Sequence, residues 1–173
     1  MGALSGARYA YTVSDEISLL FDPGFWMFGR KLEKLVSVSA GLASAGFTLE
    51  SGILGHFDSR VWIGATVEDV ADYFQWRQAD AGRSALHGWC YWTLRQDGAT
   101  RQRATEALSG LSTAGKNELL HRSGVNFSAV PAWQRRGIGL WGDRVEWELP
   151  MRREYRELVV RLAGWRAEST IGA

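Results

Sequence analysis

Residues 7–21, ARYAYTVSDEISLLF, decide the expected fold of this chain. The first half alternates aromatic and β-branched side chains and the second half is a short apolar run, so the pattern predicts two β-strands. Ser14, Asp15 and Glu16 lie between these strands or within one long strand. Because neighbouring side chains on a regular strand point to opposite faces, Asp15 and Glu16 can reach one metal ion only where the chain turns or bulges.

Beyond this stretch, the sequence predicts helices between two groups of strands. Apolar residues at helical spacing from Phe28 to about Gly46 predict a helix buried on one side, and Thr66 followed by Asp69 has the capping-box pattern of a helix start. The other predicted elements are a turn at 22–24, a strand at 60–64, a helix broken near Gly82 and resuming over 84–95, a turn at 97–98, helices at 100–108 and 113–122, strands at 137–141 and 144–149, and a helix at 152–163. This order favours an α+β fold with an antiparallel or mixed sheet, in a single domain over residues 1–173.

Composition excludes several classes of protein. The chain has 173 residues with 20 basic and 19 acidic side chains, so its formal charge of +1 creates no overall attraction to polyanions. Nine Trp, seven Phe and five Tyr exclude a disordered segment, and the single cysteine, Cys90, excludes a disulfide scaffold. Together with an opening unlike a secretory signal and the lack of an apolar run of roughly 18 residues, the lone cysteine predicts a cytoplasmic protein.

Two motifs suggest ligands but favour ordinary structure. Residues 137–142 have the G-x-G-x-x-G pattern of a dinucleotide site, yet strand-like residues 144–147 follow where a helix is required. Glycines at the ends of a hairpin strand are therefore the favoured interpretation. His87 and Cys90 have a ligand-like separation, but the sequence contains no second cysteine, so both are expected to belong to an aromatic-rich helix.

A basic group follows the acidic pair. Arg30, Lys31 and Lys34 fall in the first turns of a predicted helix, where cations oppose the helix dipole unless they face solvent or bind an anion. Taken alone, this pattern favours a helix face on which the three cations are exposed to solvent. Carboxylates followed by a cationic clamp, however, are the usual grouping of nucleotidyl transfer, in which metal ions and basic side chains hold a triphosphate.

Six stretches occur in the order and at the spacing of one known family. They are Ser14-Asp15-Glu16-Ile17-Ser18, Arg30-Lys31-x-x-Lys34, Phe57-Asp58-Ser59-Arg60, Trp76-Arg77-Gln78-Ala79-Asp80, Lys116-Asn117-Glu118-Leu119-Leu120 and Gly124-Val125-Asn126-Phe127. Through them, residues 8 to 141 resemble the tRNA-His guanylyltransferase family and its relatives, the 3′-to-5′ tRNA polymerases.

The resemblance implies a polymerase-palm-like α+β fold that adds nucleotides to the 5′ end of tRNA. In that family ATP or GTP activates the 5′ phosphate, and the 3′-hydroxyl of an incoming nucleoside triphosphate attacks it with the help of two Mg²⁺ ions. The implied cofactor is therefore Mg²⁺, and the implied partners are tRNA, GTP and ATP. A dimer or tetramer is also implied.

The resemblance also implies roles for individual residues. Asp15 would ligate both metal ions, and Glu16 would bind one or assist. The residues implied to hold the triphosphate are Ser14, Arg30, Lys31 and Lys34. Lys116 would be catalytic and Asn126 nucleotide-binding, both near the reacting phosphate. The candidates for tRNA or nucleotide contacts, or for ordering the site, are Arg60, Arg77, Arg135 and Arg136.

The sequence departs from the family pattern in two places. Family members normally begin with a further strand and helices whose Asp supplies the other shared metal ligand, so we expect this chain to be truncated at its N-terminus relative to the family. Residues 80–85 stand where the guanylyltransferases proper carry His-Ile-Asn-Asn, which points to the template-dependent branch. Two functions stay open: a nucleotidyltransferase, or a palm remnant that binds nucleotide or tRNA without turnover.

Overall fold

The central strand of the sheet comes from the first half of the opening stretch. In the computed structural model, which describes residues 6–164, strand β1 (Ala7–Val13) pairs with β2 (Glu16–Phe21) on one side and β3 (Ile138–Trp141) on the other. Strand β4 (Arg144–Glu146) completes the order β2-β1-β3-β4, with every pair antiparallel. The predicted α+β class is confirmed, and the hairpin β3–β4 accounts for the glycines of residues 137–142.

Helices pack on this sheet and on one another. They are α1 (Leu32–Ser51), α2 (Val67–Gln96), α3 (Arg101–Leu108), α4 (Thr113–Arg122), α5 (Ala132–Arg136) and α6 (Arg152–Gly164). Among residues 6–164, no helix combines the length and the apolar character that a membrane crossing demands.

Two hydrophobic clusters hold the molecule together. The first joins β1 to α2 and α6, and its fully buried members are Tyr9, Tyr11, Ala71, Phe74, Leu149, Tyr155 and Val159. The hydroxyls of Tyr9 and Tyr155 lie 3.0 Å apart in a buried hydrogen bond, and burial raises the pKa of both phenols. The second cluster joins the other half of α2 to α3 and α4 through Leu86, Cys90, Leu108 and Leu120.

Helix α2 begins as predicted but continues through its predicted break. The Thr66 hydroxyl accepts the Asp69 amide, and the Asp69 carboxylate accepts the Thr66 amide. The break near Gly82 is wrong because a glycine costs only about 1 kcal/mol in a helix, and each half of α2 is buried in its own cluster. A Cβ at Gly82 would lie 3.6 Å from the Arg135 carbonyl oxygen, an ordinary contact, so α5 packs close to this point of α2 without requiring the glycine.

The region between β2 and α2 differs most from the sequence prediction. Helix α1 starts at Leu32 rather than Phe28, because Phe28 and Gly29 adopt positive φ angles of 58° and 61°. None of the residues of α1 is buried, so the predicted burial of one face is wrong. The helix packs instead on the segment that follows it, with the Phe47 and Phe57 rings 5.8 Å apart.

The strand predicted at residues 60–64 is also wrong. These residues have no regular secondary structure and join no ladder of the sheet. Their side chains are largely exposed although the sequence alternates as in a strand. Trp62 makes one aromatic contact, stacking on Tyr73 with ring centroids 5.1 Å apart.

The junction between α5 and β3 requires a glycine. Gly137 has φ 78° and ψ −173°, a conformation that residues with a side chain essentially do not adopt. A Cβ there would lie 2.5 Å from the Thr12 carbonyl oxygen of the central strand. The absence of a side chain at Gly137 therefore lets the chain enter the sheet directly beside β1.

We expect Gly137→Ala to lower the free energy of unfolding by about 3 kcal/mol or more, since backbone strain adds to the clash with Thr12. The matched control is Gly110→Ala, because Gly110 also has a positive φ (70°) but open space around its Cβ position. Strain alone costs about 1 to 2 kcal/mol there. Urea denaturation of both variants measures the difference, and equal losses would contradict the role of the Thr12 contact.

Candidate active site

An open cleft of about 1010 Å³ runs from the β1–β2 turn along α2. Its walls come from the end of that hairpin, one face of α2, the segment after α4, and the α5–β3 region. The lining residues used below are Ser14, Asp15, Glu16, Arg77, Asp80, Trp89, Trp92, Gln96, Asp97, Ser123, Trp133 and Gln134. The cleft therefore joins the acidic pair predicted from the sequence to a group of tryptophans.

The acidic pair lies at a tight turn, as a shared site requires. Val13 pairs with Glu16, so Ser14 and Asp15 alone form the connection between β1 and β2. Ser14 has a φ of 53°, in the left-handed region that tight turns use. Both turn residues and Glu16 are exposed and line the cleft.

Arg77 ties the hairpin to α2. Its side chain is only 13% exposed and forms ion pairs with the carboxylates of Glu16 and, at 3.8 Å, Asp80. Asp80 is also paired with Arg83 at 2.9 Å. Glu16 is thus balanced by a cation, whereas Asp15 projects from the turn.

The carboxylates fit a Mg²⁺ ion that also binds substrate. Mg²⁺ is usually held by one or two carboxylates together with phosphate oxygens and water, and Asp15 and Glu16 supply oxygen ligands of this kind. Within residues 6–164, no group of three His, Cys, Asp or Glu side chains is gathered in a metal-binding arrangement. The described residues therefore suit a metal shared with phosphates rather than a site built from protein alone.

Some of the tryptophans that line the cleft were not singled out from the sequence. Trp92 is 63% exposed and Trp133 is 43% exposed. Trp92 packs edge-on against Tyr91, and Trp133 packs edge-on against Trp147. The sequence predicted an aromatic-rich helix around Cys90, which includes Trp92, and the only further signal was the number of tryptophans.

The basic group does not line the cleft. Arg30, Lys31 and Lys34 follow the end of β2 that is opposite the Asp15 turn, and all three are exposed. The Arg30 Nη1 donates to the Pro23 carbonyl oxygen at 2.8 Å. The structure therefore does not bring the expected triphosphate clamp together with the acidic pair.

Lys116 and Asn126 border the cleft without lining it. The Asn126 Oδ1 accepts the Ser128 amide at 3.1 Å and so caps the short 3-10 turn Phe127–Ala129. The Lys116 carbonyl oxygen accepts the Cys90 thiol at 3.3 Å, across the contact of α4 with α2. The chain between them, at Ser123, does line the cleft.

The four predicted arginines have different surroundings. Arg77 lines the cleft, whereas Arg60 is exposed and pairs with Asp58. The Arg135 Nε donates to the Val130 carbonyl oxygen at 2.6 Å. The Arg136 carbonyl accepts the Tyr11 hydroxyl at 2.8 Å, and burial lowers the pKa of its guanidinium. Arg135 and Arg136 thus hold the α5–β3 wall in place.

Comparisons with known proteins identify the same family along most of the chain. Residues 1–64 match the family described as tRNAHis guanylyltransferase, and residues 68–157 match the Thg1 C terminal domain. A probable tRNA(His) guanylyltransferase of Drosophila melanogaster is 33% identical over 146 residues, covering 79% of this chain and 51% of the relative. The chain spans about half the length of the curated relatives of this kind.

Solved structures agree with these matches. A bacterial tRNA(His) guanylyltransferase (Thg1)-like protein in complex with ATP has a TM-score of 0.74 and 29% identity, covering 91% of this chain and 72% of that one. A structure of such a bacterial protein in complex with GTP has a TM-score of 0.66 and 28% identity, covering 91% and 70%. The family matches, together with this shared fold, show that the chain belongs to the tRNA(His) guanylyltransferase family.

Proposed function

We propose that this chain is a nucleotidyltransferase that adds nucleotides to the 5′ end of tRNA, in the 3′-to-5′ direction. The observation that carries the proposal is the acidic pair Asp15–Glu16 at a hairpin turn, facing an open cleft in a member of this family. The names of the relatives support tRNA as substrate, and the similar bacterial structures hold ATP and GTP.

Bound Mg²⁺ would supply positive charge that stabilises the attacking and leaving oxygens of the transfer. Asp15 is the proposed principal ligand because it projects from the turn, and Glu16 is the second ligand. Arg77 balances Glu16 and fixes the hairpin end against α2, so it sets where both carboxylates meet the phosphates. The Ser14 hydroxyl at the same turn is proposed to donate to a phosphate oxygen.

The remaining residues act from the borders of the cleft. Arg30, Lys31 and Lys34 are exposed cations beyond the end of β2 that is opposite the Asp15 turn, so they are proposed to contact phosphate groups at a point separate from the acidic pair. Asn126, which follows the cleft-lining Val125, is proposed to bind nucleotide. Lys116 of α4 is proposed to contact phosphate away from the acidic pair, because its backbone meets Cys90, about 20 Å along α2 from Arg77. Arg60, Arg135 and Arg136 remain candidates for tRNA contact or for ordering the site.

A second candidate function is binding of nucleotide or tRNA without turnover. The observation that favours it is that, within residues 6–164, no third His, Cys, Asp or Glu side chain joins Asp15 and Glu16 in a metal-binding arrangement. Two-metal transfer places ions about 3.5 to 4 Å apart and needs ligands that bridge them. The two candidates share the nucleotide site but differ in whether addition occurs.

We expect Asp15→Asn to reduce Mg²⁺-dependent nucleotide addition by at least about 100-fold while thermal stability stays unchanged, because Asp15 is exposed and its loss removes the principal metal ligand. Addition of a radiolabelled nucleotide to a 5′-truncated, 5′-triphosphorylated tRNA measures the effect. The control is Asp143→Asn, since Asp143 is an exposed acid in the β3–β4 turn.

Full activity in Asp15→Asn would refute the metal assignment. No addition by the wild-type chain, combined with measurable ATP or GTP binding, would favour the binding function instead.

We expect Lys34→Ala to weaken ATP and GTP binding about tenfold or more, because a charge-assisted phosphate contact contributes roughly 1.5 to 3 kcal/mol. Titration calorimetry measures the affinities. Arg153→Ala is the control, since Arg153 is an exposed cation on α6 that does not line the cleft. Unchanged affinity in Lys34→Ala would show that the basic group faces solvent and does not bind the phosphates of the nucleotide.

A further inference from the structure

One aromatic side chain of the cleft wall is held in place but not covered. Trp133 lines the cleft and is 43% exposed. Its indole packs edge-on against that of Trp147, with ring centroids 6.3 Å apart. Since Trp147 is not part of the cleft wall, this contact orders the Trp133 indole without filling the cleft. Exposed aromatic surface inside a cleft is typical of a ligand site.

The strand register places this indole beside the Asp15 turn. Trp147 directly follows β4, at the end of the β3–β4 ladder where β3 begins. At that end Ile138 pairs with Thr12, and Thr12 precedes Asp15 by three residues. At about 3.3 Å per strand residue, Asp15 is at most about 10 Å along the chain from this pair. Trp133 and the acidic pair therefore border the same part of the cleft.

The wall around the indole suits a base rather than a phosphate. The lining residues next to it, Thr12, Gln134 and Ile138, carry no charge. Within residues 6–164, the only cation that lines the cleft is Arg77, which is paired with Glu16. Bases carry no net charge, and their faces stack on aromatic side chains. The Gln134 amide can offer both a donor and an acceptor to the edge of a base.

A nucleoside triphosphate has its groups in the same order as the cleft. Its base is separated from its phosphates by a ribose, as the neutral wall is separated from the carboxylates by the end of β1. We propose that Trp133 stacks on the base of the nucleoside triphosphate whose phosphates are bound at the acidic pair. This stacking contact rests on the proposed function for the identity of the ligand, and it adds the residue that binds the base.

ATP and inorganic tripolyphosphate, which lacks the base and the ribose, separate the stacking contact from phosphate binding. In titrations with Mg²⁺ present, we expect Trp133→Ala to raise the dissociation constant of ATP at least about fivefold, because a base–aromatic stack is lost. The affinity for tripolyphosphate should change less than about twofold, since phosphates do not stack. Trp133→Phe keeps an aromatic face and should bind ATP within about twofold of the wild type.

Trp92→Ala is the matched control, since Trp92 is 63% exposed and lines the same cleft about 22 Å along α2 from Arg77. This variant should bind ATP like the wild type. Equal losses of ATP affinity in Trp92→Ala and Trp133→Ala, or an unchanged ATP affinity in Trp133→Ala, would overturn the stacking contact. An equal loss of tripolyphosphate affinity in Trp133→Ala would also overturn it, because the substitution would then act on phosphate binding.

If Trp133→Ala loses its thermal transition, photolabelling of the wild-type protein with an azido-adenine derivative of ATP decides. Label on Trp133 or Gln134 supports the stacking contact, and label found only elsewhere overturns it. Failure of the wild type to bind ATP would overturn both the contact and the proposed function. Absence of nucleotide addition with the binding results intact would overturn the proposed function alone.

Discussion

The packing of α2 across the aromatic face of β1 is the contact on which the rest of the structure depends. Tyr9 and Tyr11 point to the same side of the strand and are buried against Ala71 and Phe74 of the helix. This contact places the next turn of α2 beside the end of the hairpin, where Arg77 meets Glu16. The position of the site thus depends on the core, because the residues of α2 that line the cleft come directly after those buried in the first cluster.

Local patterns predicted the elements whose stability is local. Alternation in residues 7–21 gave the hairpin, and the reciprocal bonds of Thr66 and Asp69 gave the start of α2, since each depends on neighbours in sequence. The break at Gly82 failed because burial at both ends of α2 outweighs one glycine. The prediction that α1 is buried on one side was wrong for the opposite reason. Apolar spacing shows that a helix has an apolar face but not that another element covers it.

The candidate site likewise contains residues that local sequence predicted and residues that only the fold brings together. Asp15 and Glu16 were predicted to reach one metal ion only if the chain turns or bulges between the strands, and the register of β1 and β2 shows a turn at that point. The proximity of Arg77 to Glu16 depends on a helix about sixty residues away, and sequence spacing alone could not supply it. Trp92 belongs to the aromatic-rich helix that the sequence predicted, and only the three-dimensional arrangement shows that its side chain is exposed on a cleft wall.

The continuity of α2 has a consequence for how the molecule opens. One helix of 30 residues belongs to both hydrophobic clusters, so unfolding of that helix would disrupt both. Native proteins exchange their amide hydrogens in cooperative units that follow such shared elements. Amides along α2 should therefore exchange as a single unit, and a ligand held at one end of the helix would slow the exchange at the other.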